Sequence, residues 1–276
     1  MTDVAAGRSA FDADTTVRAL GGGRYAAEAT TRWNAPNGPN GGYLAAIVLR
    51  ALTAEVDDPA RAPRSLTLHY LRPPAGGRLD LAVTVERTGR NVTSLSARAE
   101  QDGRLCVLVL AAFARDLPSA QDYAGAIPVV PAPEQASVAV PGPGAPAISH
   151  RLEVRPAVGG IPFSGAGEAL SGGWMRLADP RPLDAAVAAL LCDGWLPSPF
   201  TRLTAPSPAP TLDLTIHFRE RLPLPDADPA DPVLGIFRSS TSAHGFFEED
   251  GELWSRDGVL LAQSRQLALL VPASGR

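Results

Sequence analysis

The predicted order of strands and helices occurs twice along the chain, and this repeat limits the fold more than any other feature of the sequence. Each copy starts with a strand pair, continues with an apolar helix and ends with a series of strands. The helix of the first copy covers residues 41–56 and is apolar around most of its circumference, as expected for a helix buried on most sides. The helix of the second copy is predicted over residues 183–192. The repeat therefore predicts an α+β fold in which a sheet wraps around a central helix, formed twice.

Short strands bounded by turn residues surround both helices. Asp-Gly at 102–103 and at 257–258 favours two-residue hairpin loops. The strand that starts at Ser65 matches the strand that starts at Thr211, and the first copy is one residue shorter there, which indicates a β-bulge. The predicted strands cover residues 15–20, 24–33, 65–71, 79–87, 93–100 and 104–114 in the first copy, and 150–158, 168–179, 211–219, 233–239, 244–247, 252–256 and 259–271 in the second.

A segment rich in Pro, Ala and Val separates the two copies. Residues 117–149 show neither helical nor strand periodicity, which predicts a linker or a crossing strap. The expected organisation is an N-terminal unit over 1–116, the linker over 117–149 and a C-terminal unit over 150–276. The total of 276 residues suits two domains of about 100–150 residues each. We expect the two units to pack side by side like the subunits of a dimer.

Charge and hydropathy exclude several classes of protein. The formal net charge of −4 argues against a nucleic-acid partner. No apolar run reaches the roughly 18 residues of a membrane span, so no membrane-spanning segment is expected. The first ten residues lack the apolar core of a secretory signal, and the expected location is the cytoplasm. Two cysteines, Cys106 and Cys192, cannot form a disulfide framework or a cysteine-rich zinc site.

Several catalytic motifs are missing from the sequence. All basic residues other than histidine are arginines, which excludes Schiff-base catalysis and a P-loop lysine. The absence of Gly-x-Ser-x-Gly disfavours a serine hydrolase. The four histidines (His69, His150, His217 and His244) lie in separate segments without the spacing of a ligand pair. We therefore expect neither a metal site nor a cofactor.

Short motifs in a fixed order resemble those of one enzyme family. The first copy contains Asn40-Gly-Gly-Tyr-Leu-Ala-Ala, Tyr70-Leu-Arg-Pro-Pro, and Gly89-Arg90 before a serine-bearing strand. The second contains Cys192-Asp-Gly, Thr211-Leu-Asp and Asp257-Gly-Val-Leu-Leu-Ala followed by Gln266. With these motifs the chain, over about residues 10–272, resembles the acyl-CoA thioesterase II-like family. That resemblance implies a tandem (double) hot-dog fold, with two antiparallel sheets each wrapped around a central helix.

The resemblance also implies an activity and three site residues. In that family an aspartate, a threonine and a glutamine hold a water that hydrolyses an acyl-CoA thioester to a fatty acid and CoA. By position these residues fall on Asp193, Thr211 and Gln266, with Asp193 as the base. The first copy has Arg64 or Ser65 at the place of Thr211 and Ala111 at the place of Gln266, which implies one active site per chain.

The three positions differ in what the sequence alone says about them. Gln266 falls on the apolar face of the last strand, where an amide is costly unless it is hydrogen-bonded. Strict alternation places Thr211 on the polar face, so it must lie where the strand begins, before the regular register. Asp193 is expected at the C-terminus of the second helix, followed by Gly194 as a left-handed stop. The helix dipole makes a carboxylate unfavourable there.

Gly41 and Gly42, at the start of the first helix, are candidate substrate-binding residues. Free backbone N–H groups at a helix N-terminus can bind the thioester oxygen and the charge that develops on it. Close packing of the helix against the sheet explains the two glycines equally well.

Two other functions remain open at this point. An enoyl-CoA hydratase or dehydratase of similar architecture would use an acid–histidine pair at one helix, and neither predicted helix contains a histidine. A binding protein that sequesters acyl-CoA is compatible with the same residues. Homo-oligomerisation is also open, because the repeat itself supplies the pairing that single hot-dog units obtain as dimers.

Overall fold

The computed structural model describes residues 9–272 and follows the predicted order of elements. The α-helices are α1 Ala10–Asp14, α2 Gly41–Val56 and α3 Ala185–Leu191, and short 3-10 helices cover Thr31–Trp33, Ala147–His150 and Ser198–Thr201. The strands are β1 Val17–Gly21, β2 Arg24–Ala29, β3 Asn34–Ala35, β4 Gly38–Pro39, β5 Ala62–Tyr70, β6 Gly77–Thr88, β7 Val92–Gln101, β8 Arg104–Ala114, β9 Leu152–Gly159, β10 Ala169–Leu177, β11 Thr211–Phe218, β12 Val233–Ser239, β13 Ser242–Ala243, β14 Phe246–Trp254 and β15 Leu260–Leu269.

All strands except β3 and β4, which pair with each other, form one continuous antiparallel sheet rather than the two separate sheets expected from the sequence. The sheet has 13 strands, in the order β1-β2-β6-β7-β8-β5-β11-β15-β14-β12-β10-β9, with β13 on β14. The halves join where β5 pairs with β11, with Thr67 opposite Thr215. This pairing satisfies N–H and C=O groups that an edge strand would leave open. The division into units 1–116 and 150–276 stays a prediction.

The core helices α2, of 16 residues, and α3, of 7 residues, lie side by side in opposite directions. Asn40 caps the N-terminus of α2, and its side chain also reaches Asp193, just beyond the C-terminus of α3. Farther along α2, Arg50 lies 4.0 Å from Asp184, which caps the N-terminus of α3. The helices approach so closely that a Cβ on Gly42 would lie 2.6 Å from the carbonyl oxygen of Leu190. A glycine is therefore required at this crossing.

A β-bulge occurs at the same place in both halves. In β5, the register against β8 shifts between Pro63 and Ser65. In β11, the register against β15 shifts between Thr211 and Asp213. The sequence analysis indicated a bulge from a one-residue difference in length between the copies, whereas the structure shows a bulge in each copy and no difference in length.

Strand β14 differs from the sequence prediction. The sequence predicted two strands over 244–247 and 252–256, whereas the structure has one strand, Phe246–Trp254. The intervening residues are the acidic run Glu248-Glu249-Asp250 and Gly251, which resembles a loop in composition. In the folded chain Glu249 is directed into the interior, where it finds hydrogen-bond partners. Tertiary contacts therefore override the local preference of this segment for a loop.

The predicted linker crosses the outer face of the C-terminal half. No helix or strand is assigned between Ala114 and Ala147. Ile127 and Val130 pack against Trp174 and Trp254, and the indole N–H of Trp174 donates to the carbonyl oxygen of Pro131 at 2.8 Å. In the described range 9–272, no helix is long and apolar enough to cross a membrane.

Candidate active site

The carboxylate of Asp193 lies at the N-terminus of α2. Its Oδ2 accepts hydrogen bonds from Asn40 Nδ2 at 2.8 Å and from the backbone N–H of Gly42 at 3.0 Å. Asn40 Nδ2 also donates to the carbonyl oxygen of Asp193 at 2.8 Å, so one amide holds both groups of this residue. The base candidate is therefore fixed by the neighbouring helix and not by its own.

The structure corrects one expectation about the end of α3 and shows how the cost in a second is offset. Gly194 does not adopt the left-handed conformation, because the helix ends in tighter turns, with Asp193 N–H donating to Leu190 and Gly194 N–H donating to Leu191. The unfavourable dipole of α3 is offset by the N-terminus of α2, whose N–H groups and partial positive charge favour an anion.

Burial raises the pKa of the Asp193 carboxyl to about 6, against the effect of its hydrogen bonds from Gly42, Gly41 and Asn40, which lower it. The Tyr70 ring adds to the enclosure, since a Cβ on Gly41 would lie 2.9 Å from both Asp193 Oδ2 and Tyr70 Cζ. The Tyr70 hydroxyl donates to the carbonyl oxygen of Gly41 at 2.9 Å, and burial and the charge of Asp193 raise its pKa. A carboxylate with a pKa near neutrality can accept a proton from water.

Thr211 and Gln266 are in direct contact. The Thr211 hydroxyl donates to Gln266 Oε1 at 2.8 Å, and Gln266 is only 7% exposed. Asp193 has no direct hydrogen bond to either residue in the described part of the chain. Its charge nevertheless acts across the site, because it raises the pKa of Glu249, the hydrogen-bond partner of Gln266.

The bulge in β11 explains how Thr211 reaches the interior. Leu214 and Ile216 face the core, so uninterrupted alternation would turn Thr211 outward. The register shift between Thr211 and Asp213 inserts one residue and returns Thr211 to the face that carries Gln266. The expectation that Thr211 lies before the regular register is confirmed.

Glu249 forms one polar group with Thr211 and Gln266, and the sequence analysis did not predict it. It lies opposite Gln266 on the adjacent strand β14 and is 4% exposed. Gln266 Nε2 donates to Glu249 Oε1 at 2.7 Å, and the backbone N–H of Ser198 donates to Glu249 Oε2. Burial raises the pKa of the Glu249 carboxyl to about 7, with a further contribution from the charge of Asp193.

The first half of the chain carries apolar residues at the corresponding positions. The register places Ala111 at the position of Gln266, as expected from the sequence. Pro63, rather than Arg64 or Ser65, takes the position of Thr211 at the bulge. Leu95, opposite Ala111, takes the position of Glu249. Within residues 9–272, the polar group of Thr211, Gln266 and Glu249 therefore occurs only in the second half.

Two further residues at the site, Asn40 and Tyr70, have signals in the sequence. Asn40 precedes an apolar helix, which is the usual place of a capping residue. Tyr70 stands in a motif that carried the family resemblance, but its contact with Gly41 depends on the fold. Within residues 9–272, no group of three His, Cys, Asp or Glu side chains could hold a metal ion.

Comparison with protein families finds a match in each half. The acyl-CoA thioesterase N-terminal domain matches residues 29–114, and the acyl-CoA thioesterase C-terminal domain matches residues 126–270. A comparison with curated proteins yields no match.

Solved structures share the same architecture over nearly the whole chain. A conserved protein of unknown function with a hot dog fold from Alicyclobacillus acidocaldarius has a TM-score of 0.85 and 29% identity, with 96% of this chain and 99% of that chain covered. A thioesterase II candidate from Thermobifida fusca has a TM-score of 0.82 and 27% identity, with 97% and 98% covered. An acyl-CoA thioesterase II from Mycobacterium marinum, at 20% identity, TM-score 0.76 and coverage of 97% and 100%, shows the shared fold alone. Thioesterase domains in both halves, on a hot-dog architecture, establish that this chain belongs to the acyl-CoA thioesterase family and is a thioester hydrolase.

Proposed function

We propose that the chain hydrolyses acyl-CoA thioesters with a water held between Asp193 on one side and Thr211 and Gln266 on the other. The observation that carries this proposal is the carboxylate of Asp193, with its pKa raised to about 6, in the half of the chain where Thr211 bonds Gln266. Family membership supports acyl-thioester hydrolysis in general. The residues that perform it and the acyl-CoA substrate are our inference.

The hydrogen-bonding capacity of the three side chains matches the needs of a reactive water. Thr211 uses its one proton on Gln266 Oε1, so its oxygen is free to accept a hydrogen bond from water. Gln266 Nε2 uses one N–H on Glu249 and retains a second for the water oxygen. Asp193 accepts the other water proton, which leaves a lone pair of the water directed at the thioester carbon.

The reaction then proceeds by general-base catalysis. Water attacks the thioester carbon, its proton passes to Asp193, and the carbonyl oxygen becomes an oxyanion. Collapse of this intermediate breaks the carbon–sulfur bond, and the proton on Asp193 is transferred to the leaving sulfur. The products are a fatty acid and free CoA. No cofactor or metal takes part in this scheme.

Gly41 and Gly42 have two tasks in this proposal. In the resting site the Gly42 N–H holds the ionised Asp193. When Asp193 becomes protonated, that N–H no longer faces an anion and can donate to the oxyanion that forms at the same moment. Negative charge thus moves from the Asp193 carboxylate to the oxyanion, and the N-terminus of α2 stabilises the charge at both places.

The test is a panel of acyl-CoA thioesters from acetyl to palmitoyl, followed by release of free thiol. We expect turnover of at least one member, which Asp193→Asn strongly reduces. Absence of thiol release across the panel would contradict the proposal. In that case, hydration of an enoyl-CoA would support the hydratase alternative, and tight binding without turnover would support an acyl-CoA binding protein.

A further inference from the structure

Glu249 is a buried carboxylate that the proposed hydrolysis does not use as a base. It is bonded to Gln266 Nε2 and to the backbone N–H of Ser198, which lies at the start of a 3-10 helix. Glu249 and its partner Ser198 are both shielded from solvent, since Glu249 is 4% exposed and Ser198 is fully buried. Burial of a carboxylate is costly, so a specific contact must account for its presence.

An ionised carboxylate can only accept hydrogen bonds, whereas an amide offers a donor and an acceptor that are nearly equal in shape. Facing ionised Glu249, Gln266 must present its Nε2 to that side. Its Oε1 then faces Thr211, which must donate its only proton to it. The orientation of both water-binding side chains thus depends on an acceptor at position 249.

We propose that ionised Glu249 is a positioning residue that fixes the orientation of the Gln266 amide and, through it, the Thr211 hydroxyl. Its role in catalysis rests on the proposed function, whereas its effect on the amide does not. A protonated Glu249 can donate to Gln266 Oε1, which permits the reversed amide. In that arrangement Thr211 faces an N–H group and loses its fixed donor direction.

In the first half of the chain, the position that corresponds to Glu249 faces no amide. Leu95 occupies the position of Glu249, and Ala111 occupies that of Gln266. An apolar residue therefore fits this point of the fold. The carboxylate and the amide occur together in the half that carries Asp193, which associates Glu249 with the site rather than with the architecture.

Among titratable groups of the described chain, Asp193 acts on Glu249 most directly, through its charge. Tyr70 and Cys192 also lie beside Asp193, and burial raises the pKa of both, so both stay neutral near pH 7. The pKa of Glu249, about 7, lies above that of Asp193, about 6. As the pH rises, both Asp193 and Glu249 must therefore lose their protons before the activity reaches its maximum.

The first experiment measures kcat/KM against pH on the best substrate of the acyl-CoA panel. For the wild type we expect kcat/KM to fall about tenfold near pH 7, where Glu249 takes up its proton, and then with a slope of about one below pH 6, where Asp193 does. Glu249→Gln should lower kcat at pH 8 by about tenfold, as for one misdirected hydrogen bond, and leave KM unchanged. Its profile should lack the step near pH 7 and keep the limb of slope one.

Asp250→Asn is the matched control, since Asp250 is the next residue on β14, points to the opposite face and is 54% exposed at its side chain. This variant should keep the wild-type kcat/KM at pH 8 and the wild-type fall of kcat/KM toward acid pH. A folded Glu249→Gln variant with both wild-type features would overturn the proposal.

The second experiment needs no substrate. The side-chain amide of Gln266, identified in ¹⁵N–¹H spectra by its loss in Gln266→Ala, is followed from pH 5 to 9. In Asp193→Asn, which removes the other nearby titration, we expect these signals to shift with a midpoint below the wild-type value of about 7, because the charge of Asp193 raises the pKa of Glu249. In the double variant Asp193→Asn/Glu249→Gln the titration should vanish. Signals that do not titrate in Asp193→Asn would overturn the proposal, even if Glu249→Gln fails to fold or no acyl-CoA is hydrolysed.

Discussion

The Asp193 carboxylate, which follows α3, accepts a hydrogen bond at 3.0 Å from the backbone N–H of Gly42 in the first turn of α2. This contact crosses from one repeat of the chain to the other. It places an acid with a raised pKa at the positive end of a long helix, where charge can be exchanged between the acid and a bound substrate.

Asp193→Asn should reduce kcat by a factor of about 10²–10⁴, the usual contribution of a general base. Asparagine keeps an oxygen for the donors of Asn40 and Gly42, so the helix contact survives. The measurement is thiol release on the best acyl-CoA, with circular dichroism and thermal melting to confirm the fold. Full activity in the folded variant would remove Asp193 as the base.

The pH dependence of stability should also change in Asp193→Asn. Because the pKa of Asp193 is raised on folding from 3.8 to about 6, the native state binds the proton more tightly than the unfolded chain. The free energy of unfolding therefore falls as the pH rises from about 4 to 6, by an amount on the order of 1–3 kcal/mol. The variant should lose this part of the decline, as seen in denaturant titrations at pH 4 and pH 8. An unchanged difference between the two pH values would contradict the raised pKa.

Gln266→Ala should reduce both activity and stability. It leaves the Thr211 hydroxyl and the Glu249 carboxylate without their shared partner, at about 1–3 kcal/mol for each buried group that stays unsatisfied. Gln263→Ala, on the other face of β15, is the control and should behave like the wild type. Chemical denaturation and kcat are compared in both variants, and equal effects would refute a special role for Gln266.

Thr211→Val should reduce kcat by about tenfold, because valine keeps the shape and removes only the hydroxyl that bonds Gln266. It leaves Gln266 Oε1 without a donor, so we also expect a loss of stability of about 1–3 kcal/mol. Thr215→Val is the control on the same strand, where the hydroxyl contacts Thr67 on the outer face at 3.1 Å. Steady-state kinetics of the two variants test the assignment. A larger loss in Thr215→Val would show that the outer face matters more than the bulge.

Gly42→Ala should strongly destabilise the fold. The new Cβ would lie 2.6 Å from the Leu190 carbonyl oxygen and 2.9 Å from that of Ala189, both backbone atoms that cannot move aside easily. Overpacking of this kind costs about 1–3 kcal/mol. Gly142→Ala, where a Cβ meets nothing within 4 Å, is the control. A melting temperature of Gly42→Ala equal to that of the control would disprove the close helix contact.

Much of the fold could be predicted from the sequence because the signals are local. The apolar run and the capping position of Asn40 determine α2, and its predicted bounds are those observed. The predicted bounds of β12 are also those observed, and alternation placed Gln266 on the buried face of β15. Periodicity is a property of neighbouring residues, so it can be read without knowing the partners.

The tertiary structure decided the relations between distant residues. It joined β5 to β11 in one sheet, turned Thr211 inward through a bulge, and brought Asp193 to the N-terminus of the other helix. It also made Glu249 part of a strand, although its acidic neighbours resemble a loop. A buried polar residue is stable only when its partner is present, and here the partners come from other strands and helices. Local sequence therefore determined most of the elements, and packing determined β14 and which polar groups meet.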